Sequence, residues 1–395
     1  MNIIDYVKEN TYTFQEHPFN AVDSLVLSQL SYARLEFALP EEKGIRSFFY
    51  KGHTLGEFFR NEYFQKIFFD GISDGENMEL MAYMTASRRF RDLRILDIVG
   101  DFDKSCEKQF GAMIFELDKD TDFVAFRGTD GSMMGWKEDF NLSFMNEVPS
   151  QQEAVQYLER NYGSANRRGR NRKLYTGGHS KGGNLAVYSA LRCSPEVQAR
   201  LLGAYSLDGP GFRDEVQVLL DEAAAKSGIP IIKLVPGSSV VGMLMQNNDN
   251  YQVIQSDGTG IMQHIAYSWQ VEEGDFIYLE EIDGSGKFMN RTVHDWLLTV
   301  DDEKRRIFIN TIFEVLEENG VETLQDLKTK SFTELAKMIA SLRSLDEEER
   351  AVVGGVLKSL AVSAVPKFRR RKRDSDADNV ESGDESRENT SDELR

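Results

Sequence analysis

Apolar residues recur at helical spacing between residues 19 and 37 (Val22, Leu25, Val26, Leu30, Ala33, Leu35 and Phe37), and residues 56–95 read as mostly helical too. Two strand-like runs follow at 110–117 and 122–126, parted by a polar Asp-Lys-Asp-Thr turn. Ser150 and Glu153 have the spacing of a capping box, which predicts a helix from there to Tyr162. An apolar strand then runs up to Gly178, and a small-residue helix leaves it over residues 184–191. Strand-like segments at 203–207, 230–235, 251–255 and 276–279 alternate with helix-like ones. This alternation predicts an α/β fold, a mostly parallel sheet with flanking helices.

From Asp301 the pattern turns to helices alone, with Ser331/Glu334 and Ser344/Glu347 spaced as capping boxes. It changes again at Pro366, where a basic block over 367–373, including Arg369 and Arg373, precedes a run of Asp, Ser, Glu and Asn. That composition cannot bury a core and predicts a disordered charged tail. The chain thus divides into a domain over 1–300 with an N-terminal helical region, a helical segment over 301–365, and the tail over 366–395. The basic block could make a weak contact with an anionic membrane surface, but a solvated charge run, offset by the acids after it, is the favoured reading.

Composition narrows the classes. With 395 residues, 41% hydrophobic and 11% aromatic, the chain has ample material for a core. Its formal charge of −18 argues against general nucleic-acid binding, which needs a basic face. Cys106 and Cys193 lie far apart and outside any CxxC or Cys/His cluster, so neither a disulfide scaffold nor a zinc site is expected. The first residues carry acids and lack a basic stretch followed by an apolar run, and no long apolar span occurs anywhere. The expected location is cytoplasmic.

One motif carries chemistry. Ser180 sits in a Gly-x-Ser-x-Gly frame between the apolar strand and the small-residue helix, the context of a nucleophile elbow. Gly178 and Gly182 suit a turn that brings backbone segments close together. Ser73 fits the same frame between Gly71 and Gly75, but it follows an aromatic-rich stretch without strand alternation and reads as a loop serine.

A serine nucleophile needs a base, and the base needs an orienting group. The histidines are His17, His53, His179, His264 and His294. His179 adjoins the serine, with its side chain expected to point away, and is a poor base. His264 lies on a glycine-bearing loop after a strand and is the first choice; His294 falls in a helical pattern. For the acid, Asp208 ends a strand just before Gly-Pro-Gly, and Asp249 and Asp257 are later loop carboxylates. The oxyanion donors expected are the N–H of Lys181, after the serine, and that of Thr129, after an earlier strand. The stretch with Met133, Met134, Trp136 and Phe140 is either a lid with an acyl-facing surface or ordinary packing.

These motifs carry a resemblance. Phe126-Arg-Gly-Thr-Asp130, then Trp136 and Asp139, then Gly178-His-Ser180-Lys-Gly-Gly183 resemble the class 3 lipase branch of the α/β-hydrolases. More closely, the chain resembles the bacterial Mbeg-like domain family, a lipase-like group. The run from Pro18 to Tyr32, Gly209-Pro-Gly-Phe212, Ser239-Val-Val-Gly-Met-Leu244, and Gln263-His264 to Trp269 fit as well. The resemblance implies an α/β-hydrolase core with Ser180 and His264 in catalytic positions. Class 3 lipases carry their acid after the strand that here reads Ile231-Ile-Lys-Leu-Val235, where this chain offers Ser238 and Ser239. Either Asp208 takes over from the preceding strand end, or the triad is incomplete.

The reading that results is a serine hydrolase of carboxylic esters, lipid or acyl esters among them, with Ser180, His264 and Asp208 as triad. It implies no metal or organic cofactor, and leaves the oligomeric state open. The alternative is a hydrolase fold kept as a non-catalytic scaffold, binding a partner through the segment 301–365 or the tail.

Overall fold

The computed structural model describes residues 1–39, 52–69, 73–164, 172–246, 250–284 and 299–331, with Asn248, residues 286–288, Arg291, Glu334, Ala351, Val353 and Gly354. Its strands are β1 (His53–Thr54), β2 (Arg94–Asp103), β3 (Lys108–Glu116), β4 (Thr121–Phe126), β5 (Lys173–His179), β6 (Leu201–Leu207), β7 (Ile231–Pro236), β8 (Gln252–Ile254), β9 (Val271–Glu272), β10 (Asp275–Phe276) and β11 (Tyr278–Leu279). Nine of them form one sheet in the order β1-β2-β3-β4-β5-β6-β7-β8-β11, and β9 and β10 form a separate hairpin. Pairing is parallel from β4 to β8 and antiparallel at both margins. The mostly parallel sheet expected from the sequence is therefore a mixed one whose parallel strands occupy the centre.

The helices are α1 (Ile3–Glu9), α2 (Ala21–Leu30), α3 (Leu55–Phe58), α4 (Asn61–Ile67), α5 (Asp74–Ala86), α6 (Met133–Asn141), α7 (Pro149–Tyr162), α8 (Lys181–Arg192), α9 (Pro195–Gln198), α10 (Asp214–Ser227), α11 (Asp302–Glu318) and α12 (Leu324–Thr329). From β4 to β7 the sheet advances one strand at a time in the same direction. Right-handed crossovers then place α7, α8 and α10 on a single face. That face receives Val124 and Phe126 of β4, while Phe123 and Ala125 point to the other, the period-2 alternation of a strand.

The second face is covered by the N-terminal helices. Residues Val22 to Leu30 of α2 are all buried against it, so this helix is enclosed on every side. Its one acid, Asp23, is paired in the interior with Arg89 at 2.6 Å and accepts the Tyr6 hydroxyl at 2.9 Å. A buried charge without such partners would be costly.

Several boundaries differ from expectation. The helix expected over 19–37 stops at Leu30, and Leu35–Ala38 forms a 3-10 turn. The end of the stretch read as helical begins β2 instead, which is half-buried along almost its whole length and so shows no clean alternation. Ser150 does not cap a helix. The helix begins at Pro149, Gln151 closes back on the Val148 N–H, and the Ser150 hydroxyl donates to Gln109 O and Glu138. The segment 276–279 is split, Phe276 pairing Val271 in the hairpin and Tyr278 and Leu279 pairing Ile254 and Val253 in the sheet.

At the C-terminal side, α11 lies against α6, where Val315 and Val321 bury Met133 with Trp136, Phe313 and Leu316 around them. Backbone continues the contact: Met133 N donates to Glu322 O at 2.8 Å, and Ser132 bridges Thr323. The Ser331/Glu334 capping box forms, with Ser331 N donating to Glu334 Oε2 at 2.8 Å. Ser344/Glu347 and residues 366–395, with Arg369 and Arg373, lie outside the described residues. No helix among the described residues is long and apolar enough to cross a membrane.

Candidate active site

Register brings the site together. Gly178 pairs with Phe126, His179 with Leu207, and Leu207 with Leu234, so the four parallel strands β4 to β7 reach the same edge of the sheet. Ser180 and Asp208, each one residue past its strand, therefore stand side by side at the C-terminal edge of the sheet. Crevices at that edge are where open α/β sheets present ligands.

Ser180 has φ 58° and ψ −131°, a region that a residue with a Cβ seldom occupies. The turn is so tight that a Cβ on Gly178 would fall on the Gly182 backbone, and one on Gly182 would fall on Phe126 O. Helix α8 begins with the next residue, which leaves the Lys181 N–H among the unpaired donors of a helix N-terminus. Ser73, by contrast, is the residue before α5 with φ −131°, and it heads an ordinary helix start. The two Gly-x-Ser-x-Gly frames thus fold differently, as the strand before Ser180 predicted.

Asp208 is fully buried and also adopts a positive φ, 51°. Its Oδ2 faces His264 Nδ1 at 2.6 Å. Its Oδ1 accepts the Ser239 hydroxyl at 2.5 Å and the Gly242 N–H at 3.1 Å. A carboxylate at Nδ1 makes that nitrogen the proton carrier and leaves Nε2 with the lone pair. His264 closes the 3-10 turn Gly260–His264, and its side chain is 22% exposed. Of the rival residues, Asp257 is exposed, while Asp249 and His294 lie outside the described residues.

Thr129 follows β4 and donates its hydroxyl to Asp139 of α6. Burial pushes the Asp139 carboxyl up to about 6, against the pull of Lys181 and the Thr129 hydroxyl. Lys181 sends its side chain inward rather than toward the serine. Its ammonium donates to Gln109 O at 2.9 Å, Gln109 Oε1 at 2.6 Å and Glu138 Oε2 at 2.9 Å, with both members of the ion pair completely buried. Gln109 in turn donates to Gly128 O at 3.3 Å.

Helix α6 is thus tied to both expected oxyanion positions, through Glu138 to Lys181 and Asp139 to Thr129. Of the two readings of Met133, Met134, Trp136 and Phe140, packing holds for Met133 and Trp136, which lie under α11. Met133 and Met134 also line a cleft of about 490 Å³ between α6 and α11.

Sequence reasoning gave no role in the site to four residues here. His179 was set aside because it adjoins the serine. Its ring lies against that of His264, centroids 4.6 Å apart and tilted by 30°, and its Nε2 meets His264 O at 2.8 Å. Tyr32, whose hydroxyl meets His179 Nδ1 at 3.1 Å, comes from the chain just after α2. Ser239 and Glu138 complete the set. The signals available were faint: a second histidine inside the elbow, and a Glu138–Asp139 pair next to Trp136 and Lys137.

The mixed sheet and the strained serine turn define an α/β-hydrolase-like protein. A profile of Mbeg1-like proteins matches residues 84–314, more than half of the chain, and the chain belongs to the Mbeg1-like family. No curated protein matches it. Among solved structures, it is similar to a fungal lipase in complex with an inhibitor at 17% identity, covering 59% of this chain and 76% of that one with a TM-score of 0.35. It is similar to Rhizomucor miehei triacylglyceride lipase at 18% identity, covering 60% and 78% with a TM-score of 0.36. A triacylglycerol lipase described as having a serine protease triad matches at 18% identity, over 63% and 83%, with a TM-score of 0.35.

Proposed function

We propose that this protein is a serine hydrolase that cleaves carboxylic esters, with lipid or acyl esters as its substrates. The observation that carries this reading is the 2.6 Å contact of His264 Nδ1 with the buried Asp208, beside a serine held in a strained elbow. Ser180 Oγ attacks the ester carbonyl while His264 Nε2 takes its proton. The oxyanion that forms faces the N–H groups of Lys181 and Thr129. Collapse of this intermediate expels the alcohol, which takes the proton back from His264 and leaves an acyl-serine. Water, activated by the same imidazole, then frees the acid. Asp208 keeps its charge throughout and holds the ring in the required tautomer.

The rival reading is a hydrolase fold kept as a non-catalytic scaffold, and it draws on the low exposure of Ser180, 8%. One experiment separates the two. A fluorophosphonate probe should label the wild type, should fail on Ser180→Ala and should still label Ser73→Ala. A wild type that neither labels nor turns over p-nitrophenyl esters of short or long acyl chain would rule out the hydrolase reading. Labelling that persists in Ser180→Ala would move the nucleophile elsewhere.

A further inference from the structure

We infer that His179, the residue before the nucleophile, is a positioning residue that fixes the backbone and ring of His264 and is itself fixed by Tyr32. Its effect on catalysis rests on the hydrolase reading above; the bracing itself does not.

His264 stands on a segment that has little rigidity of its own. Gly258 and Gly260 precede it, Gly260 with φ 54°, and the 3-10 turn it closes is only five residues long. Short 3-10 turns leave carbonyls without partners at their ends. Here two side chains supply donors. Trp269 Nε1 donates to Gln263 O at 2.8 Å, and His179 Nε2 is 2.8 Å from His264 O. A carbonyl oxygen can only accept, so His179 carries its proton on Nε2. Nδ1 is then an acceptor, and the Tyr32 hydroxyl donates to it at 3.1 Å.

The ring contacts agree with that arrangement. His179 lies over His264 with 30° between ring planes, and its own edge meets Trp269 at 5.9 Å. Burial, with His264 beside it, pushes the His179 imidazole down to about 3, so a neutral ring sits on the proposed base. The charged and titratable groups facing this pair are Asp208, Asp139 and Tyr32. A second cation here would oppose protonation of His264, the step that general-base catalysis requires.

The consequence is a chain from the N-terminal helical region to the site: Tyr32 orients His179, His179 holds the His264 carbonyl, and Asp208 holds Nδ1. Losing the middle link frees the imidazole to drift, and a displacement near 1 Å costs a catalytic group about 100-fold.

The test uses the full chain with ¹⁵N-labelled histidine and three variants. His179→Leu removes the donor, His179→Gln keeps an N–H for the His264 carbonyl, and Tyr32→Phe removes the outer link. Two readouts are followed against pH: the His264 imidazole resonances, and the rate of fluorophosphonate labelling. In His179→Leu we expect the His264 imidazole resonances to move and labelling to slow by about 10- to 100-fold, with kcat falling more than KM rises. His179→Gln should recover most of the rate, and Tyr32→Phe should lose severalfold. A folded His179→Leu with wild-type His264 resonances would overturn the inference. If that variant does not fold, wild-type resonances in both His179→Gln and Tyr32→Phe, with Tyr32→Phe labelling at the full rate, would overturn it too. Should the wild type not label at all, the hydrolase reading fails separately, and the imidazole spectra still decide the bracing.

Discussion

Ser239 donates its hydroxyl to Asp208 at 2.5 Å, on the carboxylate oxygen that His264 does not use. The end of β7, where the class 3 lipase pattern leads one to expect an acid, thus supplies a hydroxyl to an acid on the end of β6. Both oxygens of Asp208 are engaged in the interior, which holds the carboxylate plane toward the imidazole. Asp208→Asn should preserve the fold and lower turnover by up to about 10⁴-fold, because the amide favours the wrong tautomer. Ser239→Ala should cost far less, since Gly242 N still donates to the same oxygen. Ser239→Asp in the Asp208→Asn background should regain part of the activity. Steady-state kinetics on an activated ester checks all three, and an Asp208→Asn enzyme as active as wild type would remove Asp208 from the proposed triad.

The buried Lys181–Glu138 pair predicts a stability effect. Glu138→Gln takes the paired negative charge away from the Lys181 ammonium, deep in the protein. Removing one member of a buried pair typically costs about 3–5 kcal/mol, so the melting temperature should fall by many degrees. Lys181→Met with Glu138→Leu should recover much of the loss, since an apolar pair leaves no charge unpaired. Thermal denaturation of Lys181→Met, Glu138→Leu and the double variant closes the cycle. A Glu138→Gln protein that melts like wild type would show that α6 is not tied down through this pair.

Much of this was legible in the sequence because it depends on short-range pattern. The elbow needs a strand, a glycine frame and a helix within about two dozen residues, and Gly178, Ser180 and Gly182 stand in that frame. Asp208 and His264 became candidates through their places at a strand end and on a loop. What was hidden depends on contacts between distant segments. Strand β2 owes its conformation to pairing with β3 and not to its own apolar alternation, which Asp97, Asp101 and Asp103 interrupt. Tyr32 and His179 are 147 positions apart, and no spacing rule joins them. Ser150 was misread for a related reason: its hydroxyl bonds Gln109 and Glu138, which no local pattern could show.

Asp139 gives a prediction with a definite sign in pH. Its carboxyl sits at about 6 in the folded protein and near 3.8 in the unfolded chain, with burial the leading cause. Between those values the folded state holds the extra proton, so this group's contribution favours folding at low pH and is lost as pH rises through the window. Asp139→Asn removes that loss. The variant should melt higher than wild type at neutral pH, and the difference should shrink as the pH falls toward 4. Its labelling rate should drop, because the Thr129 hydroxyl loses its charged acceptor. Melting curves across this range check the sign, and a difference that grows toward acid would reverse the assignment.

His179 acts in the opposite sense over an overlapping range, and the two can be separated. Its imidazole is held at about 3 in the folded protein against 6.5 in the unfolded chain, chiefly by burial. As pH falls through 6.5 the unfolded chain takes a proton that the folded one refuses, so this group's contribution to stability declines toward acid. His179→Gln cannot titrate, so on acidification it should lose less stability than wild type does. The gap between the two should narrow, or reverse in favour of the variant, on acidification. Asp139 produces a slope of the other sign in wild type and in His179→Gln alike, and it cancels when the two are compared. Measuring the four proteins formed by His179→Gln and Asp139→Asn, alone and together, therefore isolates each term. A His179→Gln protein with the full acid sensitivity of wild type would mean that His179 is protonated in the fold. The N–H it gives to His264 O would then no longer fix a single tautomer.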